Sequence, residues 1–394
     1  MTKVINSQAE GAGSRPALVT RPLLLRFVSV IGASTSFYLL LSVVPRYAEA
    51  YGGGHAAGLA SGALLLATVG GGLAAPRLVA RFGYRPPLVA ALVLLGAPAL
   101  VLTVSGSTVW ITAVCVVRGL GFGVTVVAGG ALTASLIPPE RRGEGLALVG
   151  VVSGVPSLAA LPLGVWWAAH AGYGPVCAAG AVAALAAIVS VLGVPDRESA
   201  SERSIGVLAG FRTAALLRPV VVFSATALAA GIIVTFLPLA VPSASAGVVA
   251  VALFVQAAAA TVARWAAGRH GDRHGPASLV VPGLVVSAAG TLLTALTHSP
   301  VAVVVGVALF GVGFGATQNA TLSLMYARVP ESGYSTVSAL WNVAYDAGMA
   351  VGAVGFGILA ARTGYPWAFA LTAALMLTAL VPAWRDRLAD GARR

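Results

Sequence analysis

The sequence predicts an all-α membrane protein, with twelve transmembrane helices in two six-helix pseudo-repeats. Three observations predict it: the scarcity of charge, its spacing along the chain, and a fixed offset at which the chain matches itself. Of 394 residues, 58% are hydrophobic and only 9% charged, against about 25% in soluble domains. So little polar surface cannot keep a chain of this length dissolved in water. The charges gather in short segments between apolar runs near 24–45, 55–79, 86–106, 109–136, 145–169, 175–194, 219–240, 246–267, 277–297, 300–326, 335–361 and 366–384. Most of these runs exceed the roughly 18 residues that cross a hydrocarbon core about 30 Å thick. Within lipid only helices and closed barrels satisfy every backbone polar group, and runs this long and continuous are helices.

The first run, with Arg21, Arg26 and the small-residue "AEA" at 48–50, imitates a signal peptide. It is longer than a 7–15-residue signal core, and the internal repeat requires it, so it is expected to be retained. Runs 2 and 3 are joined by the basic turn "ARFGYR" (80–85). Run 4 carries "RGLGFGVT" (118–125), whose alternating glycines imitate a dinucleotide loop. That fingerprint needs a strand before it, and here both flanks are helical membrane sequence. Small residues let membrane helices approach closely, so packing explains the glycines. After run 6, residues 195–218 open with Pro195 and carry seven charged side chains, which marks a linker. Runs 7–12 then echo runs 1–6 at an offset of 192 residues. "LLRFVSV" (24–30) meets "LLRPVVV" (216–222), and Arg81 and Gly83 meet Arg273 and Gly275. "GLGFGVT" (119–125) meets "GVGFGAT" (311–317), and "AAHAGY" (168–173) meets "AARTGY" (360–365). The expected organisation is a tail at 1–21, a bundle at 22–194, the linker at 195–218, a second bundle at 219–385 and a tail at 386–394.

Orientation follows from charge. With the N-terminus inside, 21 of the 24 Lys and Arg fall on the inner side. Arg46 and Arg362 fall outside, and Arg118 falls within the membrane. That asymmetry is the positive-inside rule, and it places both termini in the cytoplasm, with the chain in the inner (cytoplasmic) membrane. It also accounts for the net charge of +12 without a nucleic-acid partner. Cys115 and Cys177 both lie in apolar runs, which indicates neither a disulfide framework nor a metal site.

Twelve spans in two repeats, with a basic turn between spans 2 and 3, resemble the major facilitator superfamily over essentially residues 22–385. The family's signature in that turn is G-x-x-x-D-R/K-x-G-R-R/K. The second-half copy, "GRHGDRHG", supplies Gly268, Asp272, Arg273 and Gly275. The first-half copy, "PRLVARFGYR", keeps Arg81, Gly83 and Arg85 but has Pro76 for the glycine and Ala80 for the acid. The resemblance implies a gating loop whose acid docks on a helix N-terminus in the opposite half, where the positive dipole end favours it. Asp272 can do this and Ala80 cannot. His270, Asp272 and His274 alternate in the same segment, but zinc takes three or four protein ligands. The segment is read as a structural cytoplasmic turn, with no metal.

Two charges lie within spans. Arg118 sits nine residues beyond 109, roughly 14 Å deep by the helical rise, where an arginine costs about 2.5–3.5 kcal/mol. The family carries an arginine followed by glycines in its fourth helix, tied to substrate or proton handling. A purely structural interhelical pair is the alternative. Asp346, eleven residues from 335, lies roughly 16 Å up from the other edge, and is the one acid the sequence places inside the membrane. Opposite charges, one per half, would share the midplane where transporter sites lie, as a proton-coupling pair. Ser338, Asn342 and Tyr345 share a helical face with a cavity orientation. Gln256 lies at similar depth, and Gln318 and Asn319 nearer the inner vestibule. By resemblance, Phe37, Tyr38 and Phe236 are cavity walls. Trp110, Trp166, Trp167, Trp367 and Trp384 sit at span ends as interfacial anchors.

Exporters of the family carry G-x-x-x-G-P-x-x-G in span 5. Here "GVVSGVPSLAALPLG" (150–164) has Gly150 and Gly154 in place and Pro156 one residue late. The resemblance therefore implies a monomeric secondary transporter that exports small, partly apolar organic molecules against protons by alternating access, and not an enzyme. No nucleotide-binding motif or cofactor is indicated. The alternatives are a facilitator or importer of a small organic anion bound at Arg118, and a non-transporting receptor or scaffold. In a cysteine-free background, single cysteines at Ser201 and Ser332 should react with an impermeant maleimide only from the cytoplasm, and one at Ser243 only from outside. Outside labelling at Ser201 would break this topology.

Overall fold

A computed structural model describes residues 17–41, 43–52, 56–194, 206–241 and 246–391. The first part of the expected linker (195–205), the ends of both tails and the labelling positions Ser201 and Ser243 lie outside the described residues. The helices are α1 (Arg21–Leu41), α2 (Val44–Gly52), α3 (Ala56–Phe82), α4 (Arg85–Leu100), α5 (Thr108–Leu136), α6 (Arg142–Ala171) and α7 (Tyr173–Leu192). After the linker come α8 (Val207–Arg212), α9 (Ala214–Ala240), α10 (Ala246–His274), α11 (Ala277–Thr294), α12 (Pro300–Ala327), α13 (Tyr334–Thr363), α14 (Tyr365–Thr378) and α15 (Leu380–Gly391). Together they supply 12 segments long and apolar enough to cross a membrane, α1 with α2 forming the first and α14 with most of α15 the last.

The duplication extends to individual helix ends. Helices α4, α5 and α6 begin at 85, 108 and 142, and α11, α12 and α13 at 277, 300 and 334, each 192 residues later. Among the described residues the positive-φ glycines form two pairs at the same offset, Gly83 with Gly275 and Gly172 with Gly364. Each ends a helix in the left-handed conformation, where a side chain would be strained. Their amides donate to Val79, Gly271, Ala168 and Ala360 carbonyls at 2.8–3.1 Å.

The glycine octets do the same work in both halves. On α5, Gly119 and Gly123 lie against the backbone of α3 at Leu64 and Thr68, while Gly121 lies against α4 at Ala91. On α12, Gly311 and Gly315 meet α10 at Gln256 and Ala260, and Gly313 meets α11 at Gly283 and Ser287. A methyl group at any of the six would strike backbone. Alternate glycines thus let one helix settle between two neighbours. Thr125 and Thr317 close each octet by donating to Gly121 and Gly313 carbonyls, both at 2.8 Å.

Three expectations about the segments are corrected. The turn expected at 268–275 is helical to His274, and only Gly275 turns the chain. Helical spacing therefore stacks His270 on His274, ring centroids 4.3 Å apart, and puts Asp272 on another face. The run expected from 219 starts at Ala214, because Leu216 is already buried in the bundle. The tail expected from 386 is part of α15, and Asp386 is 4% exposed. Arg328 donates to it at 2.9 and 3.0 Å, and Arg218 lies 3.9 Å away. Two arginines compensate the buried carboxylate, which a count of charges along the chain cannot reveal.

The halves meet where α6 packs on α10 and α13 packs on α3 and α5. Contacts between them gather at the end that bears the basic loops, called here the basic end. Gly123→Leu should stop the α3–α5 approach and cost at least the 1–3 kcal/mol typical of overpacking. It is expected to lower the melting temperature of the detergent-purified protein sharply. Gly62→Ala on α3, where a methyl meets nothing within 4 Å, should leave melting unchanged or raise it.

Candidate functional site

Between the halves, α13 lines a crevice with Ala339, Asn342, Val343 and Asp346. The opposite wall is Thr68, Val69 and Gly72 of α3 and Gly123, Val126 and Val127 of α5. Two of these six positions lack side chains, which is why a crevice remains. Asn342 and Asp346, four residues apart, share a helical face. Asp346 is exposed to the crevice, whereas Asn342 turns its amide back to the Ser338 carbonyl at 2.8 Å. Ser338 is buried against Gly130 of α5.

Aromatic rings stand to either side. On α1, Tyr38 lies edge-on to Phe37, and Phe37 stacks flat on Phe122 of α5 with centroids 3.6 Å apart. Phe37 is buried, so Tyr38 presents this pair's polar edge; it lies within electrostatic reach of Asp346. On the other side Tyr345 joins Trp341, Phe223 of α9 and Phe314 of α12, with centroids 6.0–6.4 Å from its own. Phe236 is elsewhere. It packs on Phe356, 4.9 Å away, in a cluster with Tyr365 and Phe369 at the far end of the second half. The chain brings Tyr38, Asn342, Tyr345 and Asp346 together and leaves Phe236 out. Gln256 and Gln318 are nearly buried; Gln318 Oε1 has no hydrogen-bond partner among the described residues.

Arg118 departs from expectation. It is 2% exposed, and its Nη2 donates to the Ser36 carbonyl of α1 at 3.1 Å. Its electrostatic neighbours are Cys115 and Cys177 of α7. No ion pair joins it to Asp346 among the described residues. Val127, nine residues on, faces α13 across the crevice, and nine residues turn a helix through two and a half turns. Arg118 therefore points to the opposite side, into the first bundle. Equal depth gave the wrong partner because it carries no information about facing.

Two cations were missed because each sits in an otherwise apolar run. Arg26, 3% exposed, donates from Nε to the Gly129 carbonyl at 3.2 Å and from Nη1 to Ser29, tying α1 to α5. Arg264 of α10 is part-buried and crosses to the other half, over Gly150 of α6. A methyl group at Gly150 would collide with its guanidinium and with Cδ. Tyr345 is its electrostatic neighbour, its Nε has no partner, and no carboxylate among the described residues pairs with it. It stands ten residues from His274, roughly 15 Å from the basic end, and Asp346 stands twelve residues from Tyr334, roughly 18 Å from it. The cation that faces the opposite half at a depth near that of Asp346 is Arg264, held against α6 on the same half as Asp346.

At the basic end Asp272 sits on the N-terminus of α6. Its Oδ1 accepts from the Gly143 amide at 2.7 Å and its Oδ2 from the Glu144 amide at 2.9 Å. Both are amides that a helix leaves without an internal acceptor. Gly268 permits this by bringing its backbone onto Gly143, and Asn319 donates to the Gly143 carbonyl at 2.9 Å. Arg142 adds a bond to the Tyr334 hydroxyl at 2.5 Å and covers its ring at 5.3 Å. Arg273 is exposed. The first-half copy bonds within its own half: Arg85 donates to the Leu192 carbonyl, and Arg81 lies over Phe82 at 5.2 Å.

The family model of the Major Facilitator Superfamily matches residues 26–353 and again 220–392. The chain belongs to the major facilitator superfamily. Its fold is that of solved members: the human organic anion transporter MFSD10 (TETRAN) superposes with a TM-score of 0.77 at 16% identity, covering 92% of this chain and 99% of that one. The proton:xylose symporter XylE gives 0.75 at 12% identity, with 93% and 95% covered. The E. coli fucose:proton symporter FucP gives 0.72 at 14%, with 93% and 98% covered. A search of curated protein sequences found no match to the chain. As a member of this superfamily the protein is a multi-pass membrane transporter of small molecules, not an enzyme.

Asp272→Asn keeps the shape but removes the charge from two bonds of about 1.5–3 kcal/mol each. A cysteine at Asn319 in that background should react with a small maleimide about tenfold faster or more, each 1.4 kcal/mol being a factor of ten. An unchanged rate would mean that the carboxylate does not hold this end shut.

Proposed function

We propose that this transporter exports small, partly apolar organic molecules against protons, and that Asp346 is the carboxylate that takes up and releases the proton. One observation carries the reading. Asp346 opens onto the crevice between the halves, while the other described acids lie at the ends of the bundle or, like Asp386, are held by arginines. An ionised carboxylate in a poorly solvated crevice is costly unless paired. Movement of α13 against α3 and α5 would change its hydration, and so its hold on the proton.

The clamp of Asp272, Asn319 and Arg142 at the basic end supports a state closed there and open at the other end. With the basic end cytoplasmic, as the charge asymmetry implies, that is the outward-open state of an alternating-access cycle. Export is supported by the span-5 pattern of Gly150, Gly154 and Pro156. An organic-anion importer built on Arg118 is disfavoured, because that guanidinium is buried behind the crevice wall and bonded to α1.

A toxicity-rescue panel in an efflux-deficient host supplies a substrate, and liposomes with an imposed proton gradient then test coupling. Asp346→Asn should lose gradient-driven accumulation by tenfold or more, on the order expected for a lost acid–base group, while substrate exchange without a gradient survives. Accumulation at the wild-type level would rule out the role of Asp346.

A further inference from the structure

The second half places two opposite charges at the boundary with the first, Asp346 on the crevice and Arg264 against α6, and neither is matched among the described residues. Asp346 faces α3 and α5, and Arg264 faces α6, both at roughly mid-depth by helical rise. No ion pair among the described residues includes either side chain, and they are too far apart to bridge each other directly. The other interior charges among the described residues each have at least one bonded partner: Arg26 has Gly129 and Ser29, Asp386 has Arg328 and Arg218, and Arg118 has Ser36 for Nη2, though its Nη1 has none. Tyr345 lies between the two, an electrostatic neighbour of both. Tyr38 reaches Asp346 from the first half. The notch at Gly150 keeps the Arg264 guanidinium across the boundary between halves, against α6.

From this we infer that Arg264 and Asp346 are the two poles of a site for amphoteric aromatic molecules. The acid group of the ligand would lie on Arg264, its amine on Asp346, and its ring between Tyr38 and Tyr345. A planar guanidinium suits a carboxylate or sulfonate through paired N–H donors. The amine competes with a proton for the same carboxylate, which is the condition for exchange rather than co-transport. The inference rests on the reading of Asp346 above and adds the substrate class.

Equilibrium binding separates the two claims, because it needs neither a gradient nor a direction. Three probes share a ring and a similar length: phenylalanine carries both charges, phenethylamine only the amine, and 3-phenylpropionate only the acid. With the full-length protein in detergent at neutral pH, phenylalanine should bind about 10–100-fold more tightly than either single-charge probe, the factor for one charge-assisted hydrogen bond. Arg264→Gln should reduce phenylalanine to the level of phenethylamine, and Asp346→Asn to that of 3-phenylpropionate. Gly150→Ala, which displaces the guanidinium but meets only a flexible side chain, should weaken the two acid-bearing probes and spare phenethylamine. A second measurement needs no ligand. A cysteine at Thr68 should react faster with an anionic than with a cationic methanethiosulfonate once Asp346→Asn is introduced, and Arg264→Gln should abolish that preference. Equal binding of the three probes, or no binding of phenylalanine, or a Thr68 preference indifferent to Arg264, overturns the amphoteric site. Proton coupling through Asp346 then still stands or falls on the liposome experiment.

Discussion

Backbone contact between helices is the constraint on which the rest of the structure depends. Lipid tails are as apolar as the side chains of a span, so burial alone does not draw membrane helices together; close packing does. Here α5 and α12 each enter a groove between two neighbours by means of three alternating glycines. That approach brings Gly123 to the crevice opposite Asp346, and it brings Arg118 against α1. The octet is therefore a packing device that also decides which side chains are left to line the space between halves.

Within that frame interior charges divide into two kinds. Arg26, Arg118 and Asp386 each find hydrogen bonds or a counter-charge from neighbouring helices of their own half, and leaving them so is the cheapest state of a buried charge. Asp346 and Arg264 do not. Both belong to the second half, and both face the first across the boundary between the halves. A charge left unmatched at a boundary can pair with what enters there, whereas one bonded within a bundle has already committed donors or acceptors.

Much of this was legible in the sequence. Length and spacing of the apolar runs gave twelve spans, and the offset of 192 foretold paired helix starts and paired left-handed glycines, because both depend on local residues. The candidate site was legible only in part. Depth along a helix follows from counting at 1.5 Å per residue, and that counting puts Asp346 and Arg118 near one level. Facing depends on which neighbour each helix chooses, and for Arg118 that is α1, not α13. Arg264 escaped notice because it is a single charge near the end of the apolar run 246–267, which it barely dents. Phe236 was misplaced for a similar reason: its position near the end of α9 puts it among Phe356 and Tyr365, away from mid-depth. The segment around His270 read as a turn because of its glycines, yet helix α10 persists through it until Gly275 supplies the left-handed residue that ends it.

The asymmetry between the two copies of the loop motif sets how firmly the basic end is held. Position 80 corresponds to 272, and the amides of Gly143 and Glu144 correspond to those of Ser335 and Thr336 at the start of α13. A complete duplication would have given α3 an acid to bind that second pair of amides, but Ala80 has none to offer. One clamp of two charge-assisted bonds, about 3–6 kcal/mol in gross terms, therefore stands where symmetry would have built two. Arg142 and Tyr334, themselves at corresponding positions, contribute a bond and a ring contact near the axis between the halves. The missing first-half acid lowers the cost of separating the two halves at this end relative to a fully duplicated chain, in which α3 would be held to α13 as α10 is held to α6.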